Sequence, residues 1–348
     1  MRVAVVGATG AVGREMVRIL EERAFPVDDL VLLATERSEG TAVPFRGDDV
    51  VVRAARDGWH RGVDLALVSA GAAASRELLP PAARAGTVCV DNSSAFRMDP
   101  DVPLVIPEVN AEALHGHRNL VANPNCTAIT ALVPMGPLHR RFGLRSLITS
   151  SYQSVSGSGM KGIRELEEQM EKLHGQIEDL RRPDPGALPS GPVFAGTIAF
   201  NVVPLCERPD PDGSGYTTEE LKMAAEARKI LGVPGLEVAA TAVRVPVAVG
   251  HGVSVHARFV EPVTPALARE ALEDADGVRV VDDLAGGVFP TPIDAAGGDD
   301  VLVGRIRQGS DPTALLYFSA GDNLRKGAAL NAVQIAEAVA CETNGPGP

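Results

Sequence analysis

The chain begins MRVAVVGATGAVGREMV, an apolar, β-branched run that turns at once into a glycine loop and then a helix-forming stretch. Nothing else in its 348 residues constrains the fold as tightly. Val3 to Val6 read as a buried strand. Gly7-Ala8-Thr9-Gly10-Ala11-Val12-Gly13 is a GxxGxxG variant of the dinucleotide fingerprint. Glycines at such a junction permit a tight turn and close backbone approach, and the helix that follows offers unpaired N–H groups to a pyrophosphate. As an isolated pattern it is also what ordinary turn chemistry produces. The strand before it and the helix after it favour a nucleotide.

The alternation continues. Leu30 to Ala34, Leu65 to Ser69 and Val88 to Val90 are further strand-length apolar runs, separated by amphipathic stretches at Gly10 to Arg23 and Ala72 to Ala85. Strands alternating with helices imply parallel βαβ units, hence an α/β, doubly wound (Rossmann-type) first domain. Beyond about residue 130 the pattern changes. Arg164 to His174 reads as a solvated, charged helix, and the segments Arg181 to Pro192 and Pro204 to Gly215 as loops. Leu236 to Val249, Val253 to Val260, Val301 to Ile306 and Ala314 to Ser319 read as strands, with a helix at Pro265 to Leu272 and a last one at Leu324 to Ala340. That mixture predicts a second, α+β domain.

Composition narrows the partners. Lys plus Arg number 33 against 45 Asp plus Glu, a formal charge of −12, which argues against a general nucleic-acid binder. No apolar run reaches the length of a membrane span and no secretory signal is visible. Cys89, Cys126, Cys206 and Cys341 are scattered, neither a disulfide framework nor a zinc pattern, so no metal is expected and a cytoplasmic setting is.

Two segments carry chemistry. Thr35-Glu36-Arg37-Ser38 follows the second strand, where an acid favours NAD and an Arg accommodates the 2′-phosphate of NADP. Arg37 and Ser38 speak for NADP and Glu36 against it; in an extended segment Glu36 would point away from its neighbour. Asn123-Pro124-Asn125-Cys126-Thr127 is a turn before a helix, the setting in which a thiolate is favoured and a cysteine becomes nucleophilic. Cys89, Cys206 and Cys341 read instead as buried, inert thiols.

Taken in order, GATGAVG, DNSSAFR, IPEVN, NPNCT, SYQSVSGSG, EELK, RVPV with a following histidine, and GDNLRKGAA resemble the aspartate-semialdehyde dehydrogenase family over nearly the whole length. The resemblance implies an NADP-dependent, phosphorylating aldehyde dehydrogenase that interconverts L-aspartyl 4-phosphate and L-aspartate 4-semialdehyde in lysine, threonine and methionine biosynthesis. It makes Cys126 the thioester-forming nucleophile, His251 the general acid/base, Gln153 the group orienting the acyl moiety and Asn125 a holder of the turn. Arg244 would clamp the substrate carboxylate, Glu219 the ammonium, and Arg97 with Lys222 the phosphate. Gly7, Thr9, Gly10, Ala11, Val12, Arg37, Ser38, Ser69, Gly71 and Asn323 would meet the cofactor.

The resemblance also implies a homodimer, and domains of 1–127 plus 322–348 for the dinucleotide and 128–321 for catalysis and dimerisation. The sequence departs from the family pattern at Glu36 and Thr41, usually Ala and Lys, which narrows the NADP preference, and at Gly252-Val253-Ser254, where an acid is usual. The rival readings are an N-acetyl-glutamyl-phosphate reductase, against which Glu219 argues, and a non-catalytic nucleotide-binding homologue.

Overall fold

In the computed structural model, which describes residues 1–176, 178–184 and 186–344, the N-terminal apolar run becomes strand β1 (Arg2–Val6). The strands that follow are β2 (Asp29–Ala34), the antiparallel hairpin β3 (Ala42–Phe45) and β4 (Asp48–Val51), β5 (Arg53–Ala54), β6 (Leu65–Val68), β7 (Val88–Asp91) and β8 (Leu120–Ala122). Six of them form an all-parallel sheet in the order β5-β2-β1-β6-β7-β8. The order reverses between β1 and β6, and in doubly wound sheets ligands bind beyond the strand ends at that reversal. The glycine loop leaves β1 there, and Ser69-Ala70-Gly71 leaves β6. The helices here are α1 (Ala11–Glu22), α2 (Ala72–Arg84), a single turn α3 (Pro107–Asn110) and α4 (Cys126–Phe142).

The later strands are β9 (Leu144–Gln153), β10 (Glu237–Arg244), β11 (His251–Phe259), β12 (Val278–Val280), β13 (Val301–Gln308) and β14 (Ala314–Gly321). They form a mixed sheet in the order β10-β9-β11-β14-β13-β12, parallel at both edges and antiparallel between. Helices α5 (Met160–Lys172), α6 (Thr218–Ile230), α7 (Pro265–Glu273) and the single turn α8 (Pro292–Ala295) accompany it. Local signals explain their starts. Thr217 and Glu220 exchange hydrogen bonds as a capping box before α6, and Thr264 caps α7 with Pro265 at its first position.

The chain closes with a π-helical turn, Arg325–Leu330, and α9 (Asn331–Asn344). The sequence predicts one regular helix here. The wider turn lets two successive basic residues both reach acids: Arg325 pairs with Glu15 and Glu22, and Lys326, 1% exposed, with Glu108. Val333 and Ile335 of α9 join Val3, Val5, Met16 and Leu20 in one core. Ala4 and Val6 are buried as well, so β1 is covered on both faces, as a parallel sheet requires.

By contact the chain forms two compact units. One holds Met1–Gly136, Ala225–Gly235 and the chain from Leu324, the other Pro137–Ala224 and Leu236–Asn323. The sequence reading divides at 127 and 322 instead and gives 225–235 to the second domain. Residues 345–348 of its 322–348 segment, and Pro185 of its proline-rich loop, lie outside the described residues.

Two other expectations change. The helix read as solvated, α5, buries Glu165 and Gln169, which accept from the backbone N–H groups of Val193, Phe194, Ile198 and Ala199. A charged helix face can thus serve a loop that has no ladder of its own. Cys341, read as buried, is exposed on α9.

Candidate active site

In the first unit Cys126 is the first residue of α4 and half-buried. Asn125 caps that helix: its Oδ1 accepts from the N–H of Thr127 at 2.8 Å and of Ala128 at 3.4 Å. Asn123, just before, is 1% exposed and tied to Ala328 and Asn331. Arg97 lies against this turn, donating Nε to the Asn123 carbonyl at 2.9 Å, Nη2 to the Asn92 carbonyl at 2.8 Å and Nη1 to Glu226 at 2.9 Å. Asn92 Oδ1 and Thr127 Oγ1 are buried with no hydrogen-bond partner. Unpaired buried polar atoms beside a turn of this kind are what a ligand's groups would satisfy. The other thiols differ. Burial pushes Cys89 up to about 12, helped by nearby Asp91, and Cys206 is buried too.

The glycine loop fits a pyrophosphate. Gly7 has φ +88°, and a Cβ there would lie 2.3 Å from the Ser69 carbonyl; one on Gly13 would lie 2.2 Å from the Gly7 carbonyl. Only glycine allows that closeness, which leaves backbone N–H groups bare at the start of α1. Gly10 is the N-cap residue, and Ala11 and Val12 open the helix. Thr9 Oγ1 reaches Ser38 Oγ at 3.4 Å, joining the loop to the segment after β2 that the sequence reading assigns to the ribose. That segment is a 3₁₀ turn, Glu36–Ser38, not extended backbone. Alternation therefore does not turn Glu36 away from Arg37. Glu36 stands off because its side chain is 81% exposed, 3.9 Å from Arg56. Arg37 is exposed and Ser38 half-buried.

In the second unit β9, β10 and β11 bring Gln153, Arg244 and His251 together. Gln153 donates to Glu219 Oε1 at 3.2 Å, and Arg244 Nη1 to the Ser154 carbonyl at 2.6 Å. His251 is fully buried. The Ser154 N–H donates to its Nδ1 at 3.1 Å, which assigns the ring proton of the neutral form to Nε2. Burial first, then the Arg244 charge, lowers its pKa to about 3, with a backbone hydrogen bond at Gly250 opposing. A Cβ on Gly157 would meet Arg244 Nη1 at 2.7 Å and His251 Nε2 at 3.6 Å. Glycine here keeps space open in front of both.

Asn323 Oδ1 accepts from Ser154 Oγ at 3.0 Å and the Gly250 N–H at 2.8 Å, bracing the same loop. Lys222 lies 3.8 Å from Glu219 and pairs closely with Glu207. Burial alone would raise the Glu207 pKa, but the hydrogen bonds from Lys222 and Thr218 outweigh it and the net shift is downward. Gly252, one of the family departures, faces Phe318: a Cβ there would come within 2.6 Å of that ring.

Sequence reasoning missed Ser154, Gly157, Glu207, Glu226 and Lys229. The first two lie inside a quoted motif, and Glu226 and Lys229 extend the spacing of Glu219 and Lys222 along α6. Among the described residues no cluster of metal-ligating side chains occurs, and no helix is long and apolar enough to cross a membrane.

A doubly wound sheet with a nucleotide loop at its reversal, joined to a mixed sheet bearing an Arg, a His and paired polar groups, defines a two-domain dehydrogenase class. Family models agree. Residues 2–117 match the semialdehyde dehydrogenase NAD binding domain and 135–326 the semialdehyde dehydrogenase dimerisation domain. The chain is 47% identical to the aspartate-semialdehyde dehydrogenase of Mycolicibacterium smegmatis (98% of this chain, 99% of the relative). It is 45% identical to that of Aquifex aeolicus, over 97% of each. The crystal structure of aspartate semialdehyde dehydrogenase II from Vibrio cholerae complexed with ASA superposes with a TM-score of 0.90 at 42% identity, covering 97% of this chain and 98% of that one. The chain belongs to the aspartate-semialdehyde dehydrogenase family of oxidoreductases.

Proposed function

We propose that the chain interconverts L-aspartyl 4-phosphate and L-aspartate 4-semialdehyde with NADP, through a thioester on Cys126, in the biosynthesis of lysine, threonine and methionine. One observation carries the substrate reading. Arg244 is 6% exposed, donates to a backbone carbonyl, and has no carboxylate partner among the described residues. A buried guanidinium without an acid is costly, and a planar carboxylate from a ligand is the group that offsets it. Glu219, 6% exposed beside Gln153, offers the complementary charge for an ammonium.

In the biosynthetic direction the Cys126 thiolate attacks the acyl carbon, the carbon–oxygen bond to phosphate breaks, and Arg97 and Lys222 take the departing anion. Gln153 orients the acyl group, and N–H groups at the start of α4 steady the developing oxyanion. Gly7, Thr9, Gly10, Ala11 and Val12 would hold the cofactor's phosphates, and Arg37 and Ser38 its 2′-phosphate, with Ser69, Gly71 and Asn323 nearer the reacting end; a reduced nicotinamide held there would provide the hydride that the thioester carbon needs. His251 exchanges a proton with the resulting oxygen at Nε2 as the carbon–sulfur bond breaks and Asn125 holds the turn. Residues 1–127 with 322–348 serve the dinucleotide and carry Cys126, Asn125 and Arg97, and residues 128–321 supply the other catalytic groups and the dimer contact. The matched dimerisation domain, with Ile148 and Tyr152 exposed on one face of β9, supports a homodimer. The reading places it in the cytoplasm.

The test is phosphate-dependent NADPH formation from aspartate semialdehyde, with the N-acetyl-glutamyl analogue as competitor. Turnover that requires phosphate and the free amine is expected. Preference for the acylated substrate would point to the reductase instead, and no turnover with either to a non-catalytic homologue.

A further inference from the structure

Glu226 sits near the end of α6 with its side chain 1% exposed. Its two oxygens do different things: Oε1 accepts from Arg97 Nη1 at 2.9 Å, and Oε2 from the backbone N–H of Asn125 at 2.7 Å. Arg97 has five N–H donors. Three are held, by Glu226 and the carbonyls of Asn123 and Asn92, which leaves one on each terminal nitrogen. One turn further along α6, Lys229 gives its ammonium to the carbonyls of Arg97, Asp99 and Val102 at 2.7–2.8 Å. The same stretch of helix thus grips the Arg97 loop from two sides.

We infer that Glu226 is a positioning residue for the reaction: it sets the rotation of the Arg97 guanidinium so that its remaining N–H groups meet the phosphoryl oxygens, and it pins the backbone before Cys126. The inference rests on the roles proposed for Cys126 and Arg97. A carboxylate is needed because both oxygens must accept. A glutamine accepts on one oxygen only, and its amide would set N–H against N–H at the other contact. The negative charge also bears on the thiol. A carboxylate bonded to the N–H one residue before Cys126 opposes thiolate formation and balances Arg97, which favours it.

The experiment uses full-length Cys126→Ser, Glu226→Gln and Glu226→Asp. It measures kcat and KM for phosphate per folded molecule, and the pH midpoint of Cys126 alkylation mapped by mass spectrometry. Glu226→Gln is expected to lower kcat at least tenfold without raising the phosphate KM, because the site becomes more positive while its geometry loosens. Its alkylation midpoint should move down by about half to one unit, so that a more reactive thiol accompanies a slower enzyme. Glu226→Asp keeps the charge but is too short to span both partners; kcat should fall while the midpoint stays. A purely structural role would lower the melting temperature and leave kcat per folded molecule and the midpoint at parental values in both variants, which overturns the inference. Should Cys126→Ser retain turnover, the thioester reading itself fails, a result separate from either outcome at Glu226.

Discussion

His251 is expected to remain neutral well below the pH at which an ordinary histidine protonates. Two causes hold it down, burial and then Arg244. The contacts at Gly157 bring Arg244 Nη1 and His251 Nε2 within about 6 Å of each other. At an effective dielectric of about 20, two charges at that distance repel by about 2–3 kcal/mol, or roughly two pKa units. Arg244→Leu should therefore raise the His251 pKa from about 3 by that amount and no further, since burial, the larger cause, stays. Imidazole carbon shifts in histidine-labelled protein, followed from about pH 2 to 8 and assigned with His251→Asn, measure this directly. A parental His251 that titrates near its ordinary value, or an Arg244→Leu variant with an unchanged midpoint, would refute the argument. A folded pKa below the unfolded one gives stability that is complete above about pH 6.5 and is lost as pH falls toward 3, by about 1.4 kcal/mol per unit.

Cys126→Ser should leave cofactor binding, measured by fluorescence, nearly intact and reduce turnover by several orders of magnitude; under alkylation, loss of activity should track Cys126, while exposed Cys341 reacts without effect and Cys89 stays inert. Gly157→Ala should displace the Arg244 guanidinium, the flexible end of the clash, raising the KM for aspartate semialdehyde about tenfold or more with little change in melting temperature. On the ratio of kcat/KM for NADP and NAD, Arg37→Ala should shrink or invert an NADP preference and Glu36→Ala should widen it; an unchanged ratio in Arg37→Ala removes that residue from the phosphate site.

Four strands of the first sheet, β1, β2, β6 and β7, were readable because they are continuous apolar runs and the glycine loop has a steric cause; β5 and β8, two and three residues long, were not. The same reasoning failed where local pattern is overruled by a distant partner. Nothing in RKGAAL announces a π turn, whose Arg325 and Lys326 pair with Glu15, Glu22 and Glu108 elsewhere in the chain. Nor does the charged pattern of α5 reveal that Glu165 and Gln169 serve the backbone of residues 193–199. At the site, residue types that match a motif were legible, whereas their supports were not. Glu226 looks like one more surface acid until Arg97 and Asn125 are seen to share it.

The two buried arginines show how charge is divided. Arg97 carries its own counterion, so on the proposed mechanism a phosphate would meet a guanidinium already neutralised and fixed in rotation. Such a group directs an anion by geometry more than by net charge, which suits a leaving group that must depart. Arg244 donates to a neutral carbonyl, lies over the Phe194 ring and stands beside His251, with no carboxylate partner among the described residues. On the proposed substrate role, a ligand carboxylate arriving there would neutralise Arg244 and remove the second cause of the low His251 pKa in the same event. The proton affinity of His251 then rises only when substrate is bound. The acid limb of kcat should accordingly lie at higher pH than that of kcat/KM.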